Sequence, residues 1–336
     1  MFGRLYDAII LNDRKWVLPT TVIATVLLIL LIGVSWYWSR EPAVFWVDTT
    51  EAERPAVIGF ATTNTLRRVA ETLLDKPGGF LSNDIAPPGL FLDNIPSWEI
   101  GVLTQIRDLS RVMRNDYSRS QSQSSEDPDL TEAEKRFFFD ESAWILPPPE
   151  SKYREGIEYL QRYERRLLDS NDANAQFFAR ADNLREWLGQ VEKRLGNMSQ
   201  QLTASVGQSR VNTDLAGESA ATAGGGVNQR ADIQVKTPWL QLDNVLFEAR
   251  GSAWALVHFL RAAQFDFADV LEDKNATVSL RQIIRELEAS LAPLNSPVVL
   301  NGSGYGVFAN HSLVMASYLS RANAAVIDLR ELLDQG

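Results

Sequence analysis

The side chains able to do acid–base or nucleophilic chemistry are few. Three carboxylates fall close together, Asp84 and Asp93 in the loop KPGGFLSNDIAPPGLFLDNIPS at 76–97 and Glu99 just beyond it. Two carboxyl groups, one held protonated by burial and one ionised, are the equipment of a hydrolase acting on an envelope polymer such as peptidoglycan. The separation that such chemistry requires is set by the fold, so the trio marks an alternative reading and no catalytic residue is assigned. The chain has two histidines, His258 and His311, and no cysteine. Thiol nucleophiles, disulfides, zinc–thiolate clusters and three-histidine metal sites are therefore excluded. His258 lies between apolar helix positions and reads as a satisfied core side chain, and His311 as a polar group near a helix start. No metal and no cofactor are expected.

A second loop, NGSGYG at 301–306, follows the extended PVVL and precedes a helix, the order that can cradle a phosphate. Its spacing is G-x-G-x-G rather than G-x-G-x-x-G, and the flanking alternation of strands and helices is missing, so a tight reversing turn accounts for it better. With 43 acidic against 33 basic residues the net charge is -10, which argues against nucleic acid as a partner. The 76–97 loop mixes Gly and Pro with bulky apolar residues. Phe80, Leu90, Phe91, Leu92 and Trp98 are the candidates for docking a protein partner, against the plainer reading of a loop packed on its own bundle.

These loops must be carried by helices. Val17–Trp38 has no ionisable group over 22 residues, enough to cross a bilayer core of about 30 Å. Pro19 falls in its first turn, and Trp16, Trp36, Tyr37 and Trp38 flank it as interfacial anchors. It ends in bulky aromatics rather than the small residues of a cleavage site, so an uncleaved signal-anchor is expected. Arg4, Arg14 and Lys15 before the span, against Arg40 and Arg54 after it, place the N-terminus in the cytoplasm. The short cytoplasmic segment 1–16 has an apolar face at Phe2, Leu5, Tyr6, Ile9 and Ile10. It reads as a helix lying on the inner leaflet or as an extension of the span. At that size it holds no output domain.

Beyond the span, two helical regions are expected, 42–206 (including the 76–97 loop) and 237–336, joined by a flexible linker at 207–236. The first opens with a helix ending at Pro77 and showing one apolar face at Leu66, Val69, Ala70, Leu73 and Leu74. The next starts with Ser97 as N-cap, and a short one at 131–139 carries Thr131 and Glu134 as a capping box. Phe177, Ala181, Leu184, Leu188, Val191, Leu195, Met198 and Leu202 repeat every seven residues, a coiled-coil seam or the core stripe of a bundle helix. The frame extends back through Leu167, Tyr163 and Leu160, across a polar stretch at 169–174 that is a kink or a turn. Unbroken, this helix would rise about 75 Å. Helices at 242–270, 280–291 and 315–333 complete an all-α bundle with coiled-coil-like seams, which pack within one chain or between chains.

The runs AETLLDKPGGFLSND, PPGLFLDNIPSWEIGVL, SRSQSQSSEDPDL, ARADNLREWLGQVEKRLG, KTPWLQLDNVLFEARGSAWALVHFL, SLRQIIRELEA and VLNGSGYGVFANHSLVMASYLSRANAAVIDLREL resemble a bacterial family catalogued as domain of unknown function 2333. The resemblance covers nearly the whole chain. It implies a proteobacterial inner-membrane protein and carries over no catalytic residue. The expected function is a single-pass inner-membrane scaffold or adaptor. Its helical body stands in the periplasm and binds other envelope proteins or itself, and the lipid bilayer is its partner through the anchor. The alternatives are the carboxylate hydrolase and a ligand-binding relay without its own output domain.

Overall fold

The computed structural model describes residues 2–47, 57–119, 125–169, 175–211, 232–296, 298–304 and 306–335, with the backbone alone at 2–18, 208–211 and 232–234. Among them ten α-helices form an all-α bundle. The middle of the 207–236 linker, residues 120–124 and 170–174 of the polar stretches, and Arg54 lie outside the described residues.

Helix α1 (Phe2–Trp38) is continuous, so the amphipathic start and the apolar segment are one rod. Pro19, expected in a first turn, therefore lies inside the helix and withholds the hydrogen bond that its N–H would otherwise give to the preceding turn. The stretch Pro19–Trp38 is long and apolar enough to cross a membrane and lies outside the core, which it meets at Trp38.

Helix α2 (Phe60–Asp75) buries the face its spacing predicts, Leu66, Val69, Ala70, Leu73 and Leu74. Its first turn is capped from a distance. Asp266 accepts from the N–H groups of Gly59 at 2.8 Å and Thr62 at 2.6 Å, satisfying donors that the helix itself leaves open. Helix α3 (Asn94–Val112) widens into a π turn at Met113–Tyr117. It starts three residues before Ser97, whose hydroxyl donates to the Asp93 carbonyl at 2.8 Å and caps nothing. Helix α4 (Pro128–Phe137) is capped by Asp127, which accepts from Asp129 and Leu130, not by the expected Thr131–Glu134 box. Pro128 at the first helical position explains the earlier start.

The long seam is divided. Helix α5 (Pro149–Leu168) and helix α6 (Ala181–Thr203) are separate, so the 75 Å rod does not form. Phe177 precedes α6 and is not a seam position. Its ring lies against Gly59 and within 5.0 Å of Tyr117 and 5.8 Å of Phe267, while Phe178 donates to the Tyr117 carbonyl at 2.7 Å. The rest of the seam, Leu184, Leu188, Val191, Leu195, Met198 and Leu202, is buried within this one chain. There α6 packs on the last helix, α10 (His311–Asp334).

The ends of the 207–236 linker are not free coil. Gln208–Val211 (β1) pairs antiparallel with Asp232–Val235 (β2), two short and mostly polar runs, the second alternating polar and β-branched residues, that gain a backbone ladder without needing a core. The remaining helices are α7 (Leu242–Asp266), α8 (Ala268–Asp273) and α9 (Thr277–Ser290). The expected 242–270 helix is thus split at Phe267, with Val270 in α8. The stretches before and after the linker share one core, in which Trp98 of α3 meets Trp254 of α7 with ring centroids 5.2 Å apart.

The α3–α7 crossing explains that intimacy. A Cβ at Gly101 would lie 2.1 Å from the Glu248 carbonyl oxygen, and one at Gly251 would lie 2.0 Å from that of Trp98. Two glycines let the backbones touch, and Ser252 donates to the Gly101 carbonyl at 3.1 Å.

Candidate functional site

The most tightly specified feature is the junction where α1 joins the bundle. After Trp38 the chain turns at Ser39 and then runs without regular secondary structure through residue 47, lying along α7 from Glu41 to Phe45. Glu41 pairs with Arg250 through two 2.7 Å bonds, the Ala43 carbonyl accepts from Trp254 Nε1 at 3.3 Å, and the Phe45 N–H donates to His258 Nε2 at 3.0 Å. Arg261 closes the series on the Phe45 carbonyl at 3.1 Å. The register is physical. Two extended residues advance about 6.6 Å and four helical residues about 6 Å, so strap positions 41, 43 and 45 match helix positions 250, 254 and 258 turn for turn.

Arg250 is nearly buried and also donates to the carbonyls of Ser290 and Ala292 at the end of α9. His258 is fully buried, as expected of a satisfied core histidine. Its Nδ1 bonds the Trp254 carbonyl at 2.6 Å, which leaves Nε2 as the acceptor for Phe45. Burial, with a smaller push from Arg261 and Arg68, lowers its pKa to about 3, so it is neutral at ordinary pH. The Phe45 ring stacks at 3.9 Å on His258, and Arg68 of α2 lies 4.4 Å above that ring.

The 76–97 loop starts beside this junction. Gly78, at φ 87°, brings its backbone against the Trp38 ring, where a Cβ would come within 2.8 Å. Lys76 and Glu99, whose side chains are both fully buried, form an ion pair at 2.5 Å. Glu99 also accepts from the N–H groups of Leu81 and Ser82 and from the Ser82 hydroxyl, at 2.6–3.0 Å. Burial raises the Glu99 carboxyl above its ordinary range, and Lys76, Ser82 and Leu81 pull the other way. Both of its oxygens are thus occupied by the loop, which it fastens to α3.

The three sequence-named carboxylates do not share an environment. Glu99 is sealed, Asp93 is exposed at the start of α3, and Asp84 is half-buried against Gly89. Burial and the neighbouring Glu150 raise the Asp84 pKa, and Lys76 opposes them. A sealed carboxylate saturated by five contacts cannot reach a polymer, so this arrangement lacks the paired acid and base. Of the docking candidates, Phe80 and Trp98 are corrected. Phe80 packs on Tyr153 at 5.5 Å and Trp98 sits in the α3–α7 core, so neither offers a surface. Leu92 packs partly on the core, while Leu90 and Phe91 are exposed.

His311 is the first residue of α10, and its Nδ1 accepts from the Leu300 N–H at 3.1 Å. The NGSGYG segment turns the chain between Asn301 and Asn310, which form an antiparallel bridge, and Asn310 caps α10. Among the described residues no three His, Asp or Glu side chains are grouped to hold a metal ion.

The sequence reading did not find the groove on the flank of α7. Trp46, Val47, Phe265 and Ile284 line about 280 Å³ beside Arg261, Arg281 and Arg285. Arg261 lies 4.8 Å from the Trp46 ring and pairs with Glu288, the acidic wall of the groove. The only sequence signal was the arginine spacing 281/285 on a helix face.

Residues 11–336 match the family described as an uncharacterized protein conserved in bacteria, DUF2333. The chain belongs to that family. The match spans α1 from Leu11, the strap and the bundle. No curated protein and no solved structure matches it.

Proposed function

We propose that this DUF2333 chain is a single-pass inner-membrane protein with a cytoplasmic N-terminus, whose periplasmic helical body acts as a scaffold for other envelope proteins. The observation that carries the reading is the strap. Glu41, Ala43 and Phe45 bind the end of an apolar helix to the longest core helix, so the body has a fixed pose on its anchor. A tethered catalyst needs no such fixation, and of the sequence-named carboxylates Glu99 is sealed in holding a loop, away from Asp84 and the exposed Asp93.

The flank groove supplies a partner surface of definite chemistry. Trp46, 81% exposed, and Phe265 offer apolar contact, and three arginines face one glutamate already paired with Arg261. That combination suits an acidic amphipathic segment of another envelope protein. The test is a photo-crosslinking residue at Phe265 in the full chain in its native membrane. An adduct with a partner carrying such a segment, lost in Arg281→Glu/Arg285→Glu, is the expected result. Equal labelling at Phe265 and at Ile327 on α10, unaffected by the charge reversal, would overturn it.

A further inference from the structure

Following the strap along α7 orients the whole bundle. Glu41 lies at Arg250 and Phe45 at His258, so the N-terminal end of α7 faces back toward α1. Arg250 reaches the carbonyl end of α9, and His311, Val314 and Met315 of α10 line a groove with Arg250. The end of α2 meets the strap at Pro42, and the start of α5 joins this end through Glu150 on Asn83 and Arg154 on Asp75. Ser199, near the end of α6, bonds Ser320 of α10. Four connections therefore gather around the exit of α1 in their described parts, at 76–93, at 138–148, at 204–211 with 232–241, and at 291–296 with 298–304 and 306–310.

Each of these connections presents large apolar side chains to solvent. Phe91 is 67% exposed, Trp144 63%, Leu146 86%, Trp239 81%, and Val307 and Phe308 are 99% and 72%. A soluble surface rarely gathers such groups without a partner. Their position names the occupant. The 22 residues of Val17–Trp38 rise about 33 Å, close to a bilayer's hydrocarbon thickness, so Trp38 sits at its interface. Gly78 of the first loop touches the Trp38 ring, so the loop cluster begins at that same depth.

We propose that the end of the bundle around α1 rests on the bilayer, with the loops at 85–92, 143–147, 239–240 and 306–308 inserting aromatic and aliphatic side chains into the lipid interface. The inference rests on α1 spanning the membrane. Aromatic residues favour that layer, and with a net charge of -10 the contact is apolar and does not depend on anionic lipid. The body is thereby held close to the membrane, with the α7 flank groove turned sideways along it.

The chain has no cysteine, so single spin labels can be placed cleanly. Full-length protein carrying Phe91→Cys, Leu146→Cys or Phe308→Cys is reconstituted in nanodiscs of zwitterionic lipid, and in a second set with anionic lipid. Collision with oxygen and with a water-soluble nickel chelate is then measured. Ile29→Cys, mid-span, and Val278→Cys, on α9 at the other end of the bundle, are the references. The proposal expects the three loop labels to favour oxygen over nickel several-fold more than Val278, equally in both lipids. Loop labels as open to nickel as Val278, with Ile29 deep, would overturn the proposal and leave the anchor standing. Loop labels shielded from both reagents would overturn it in favour of a protein occupant. Ile29 open to nickel would overturn the anchor itself.

Discussion

The backbone N–H of Phe45 donates to Nε2 of His258 over 3.0 Å, across 213 positions of chain, while Nδ1 of the same ring is engaged by Trp254 four residues earlier. Both ring nitrogens are committed in the neutral state, and protonation would set a second N–H against that of Phe45. The folded pKa of about 3 lies below the ordinary 6.5. Stability from this site is thus complete above pH 6.5 and declines as pH falls toward 3, by up to about 1.4 kcal/mol per pH unit. Thermal midpoints of the reconstituted protein between pH 7.5 and 4 test this. His258→Gln, which keeps a donor and an acceptor, should be less stable at pH 7.5 and show a flatter pH slope than wild type. Parallel slopes would contradict the assignment.

The Lys76–Glu99 pair should behave as a buried one. Lys76→Met leaves an unpaired carboxylate beside Leu81 and Ser82 and should cost about 3–5 kcal/mol. Lys76→Met/Glu99→Gln removes the stranded charge and should recover part of that loss. Denaturant unfolding followed by tryptophan fluorescence measures both. A single-variant cost below about 1 kcal/mol, typical of exposed pairs, would show that water reaches the site.

At the α3–α7 crossing, Gly101→Ala or Gly251→Ala forces a methyl group into a backbone carbonyl and should cost about 1–3 kcal/mol or more. Gly196→Ala in α6, where the nearest group is an Asn323 side chain at 3.7 Å, should be neutral or stabilising by up to about 1 kcal/mol. Thermal midpoints of the three variants give the comparison, and equal effects would place the crossing elsewhere.

What the sequence made legible follows from local physics. The faces of α2, α6 and α10 were readable because burial imposes one apolar stripe per helix, and Leu66, Leu73, Leu188, Leu195, Leu319 and Leu329 are all buried where the period placed them. Phe177 was misread because its spacing continues the heptad while Asn183 bonds the Phe178 carbonyl at 2.8 Å and holds that segment out of the helix. Caps slipped by a few residues where several candidates compete, as at Asp127 and Thr131. The junction was the least legible. Its pairs join residues more than 200 positions apart, and the two-for-four matching of strap to helix appears only once α7 is known to be its track. Phe80 and Trp98 have the composition of docking residues because core and interface select the same side chains.

The central claim is that α1 is retained as an anchor and is continuous with the strap that fixes the bundle. The most direct test is alkaline washing of native membranes followed by intact-mass measurement of the protein that sediments. The account predicts that the protein stays with the membrane and that its mass includes residues 1–38. Recovery in the wash, or a chain beginning beyond Trp38, would contradict it.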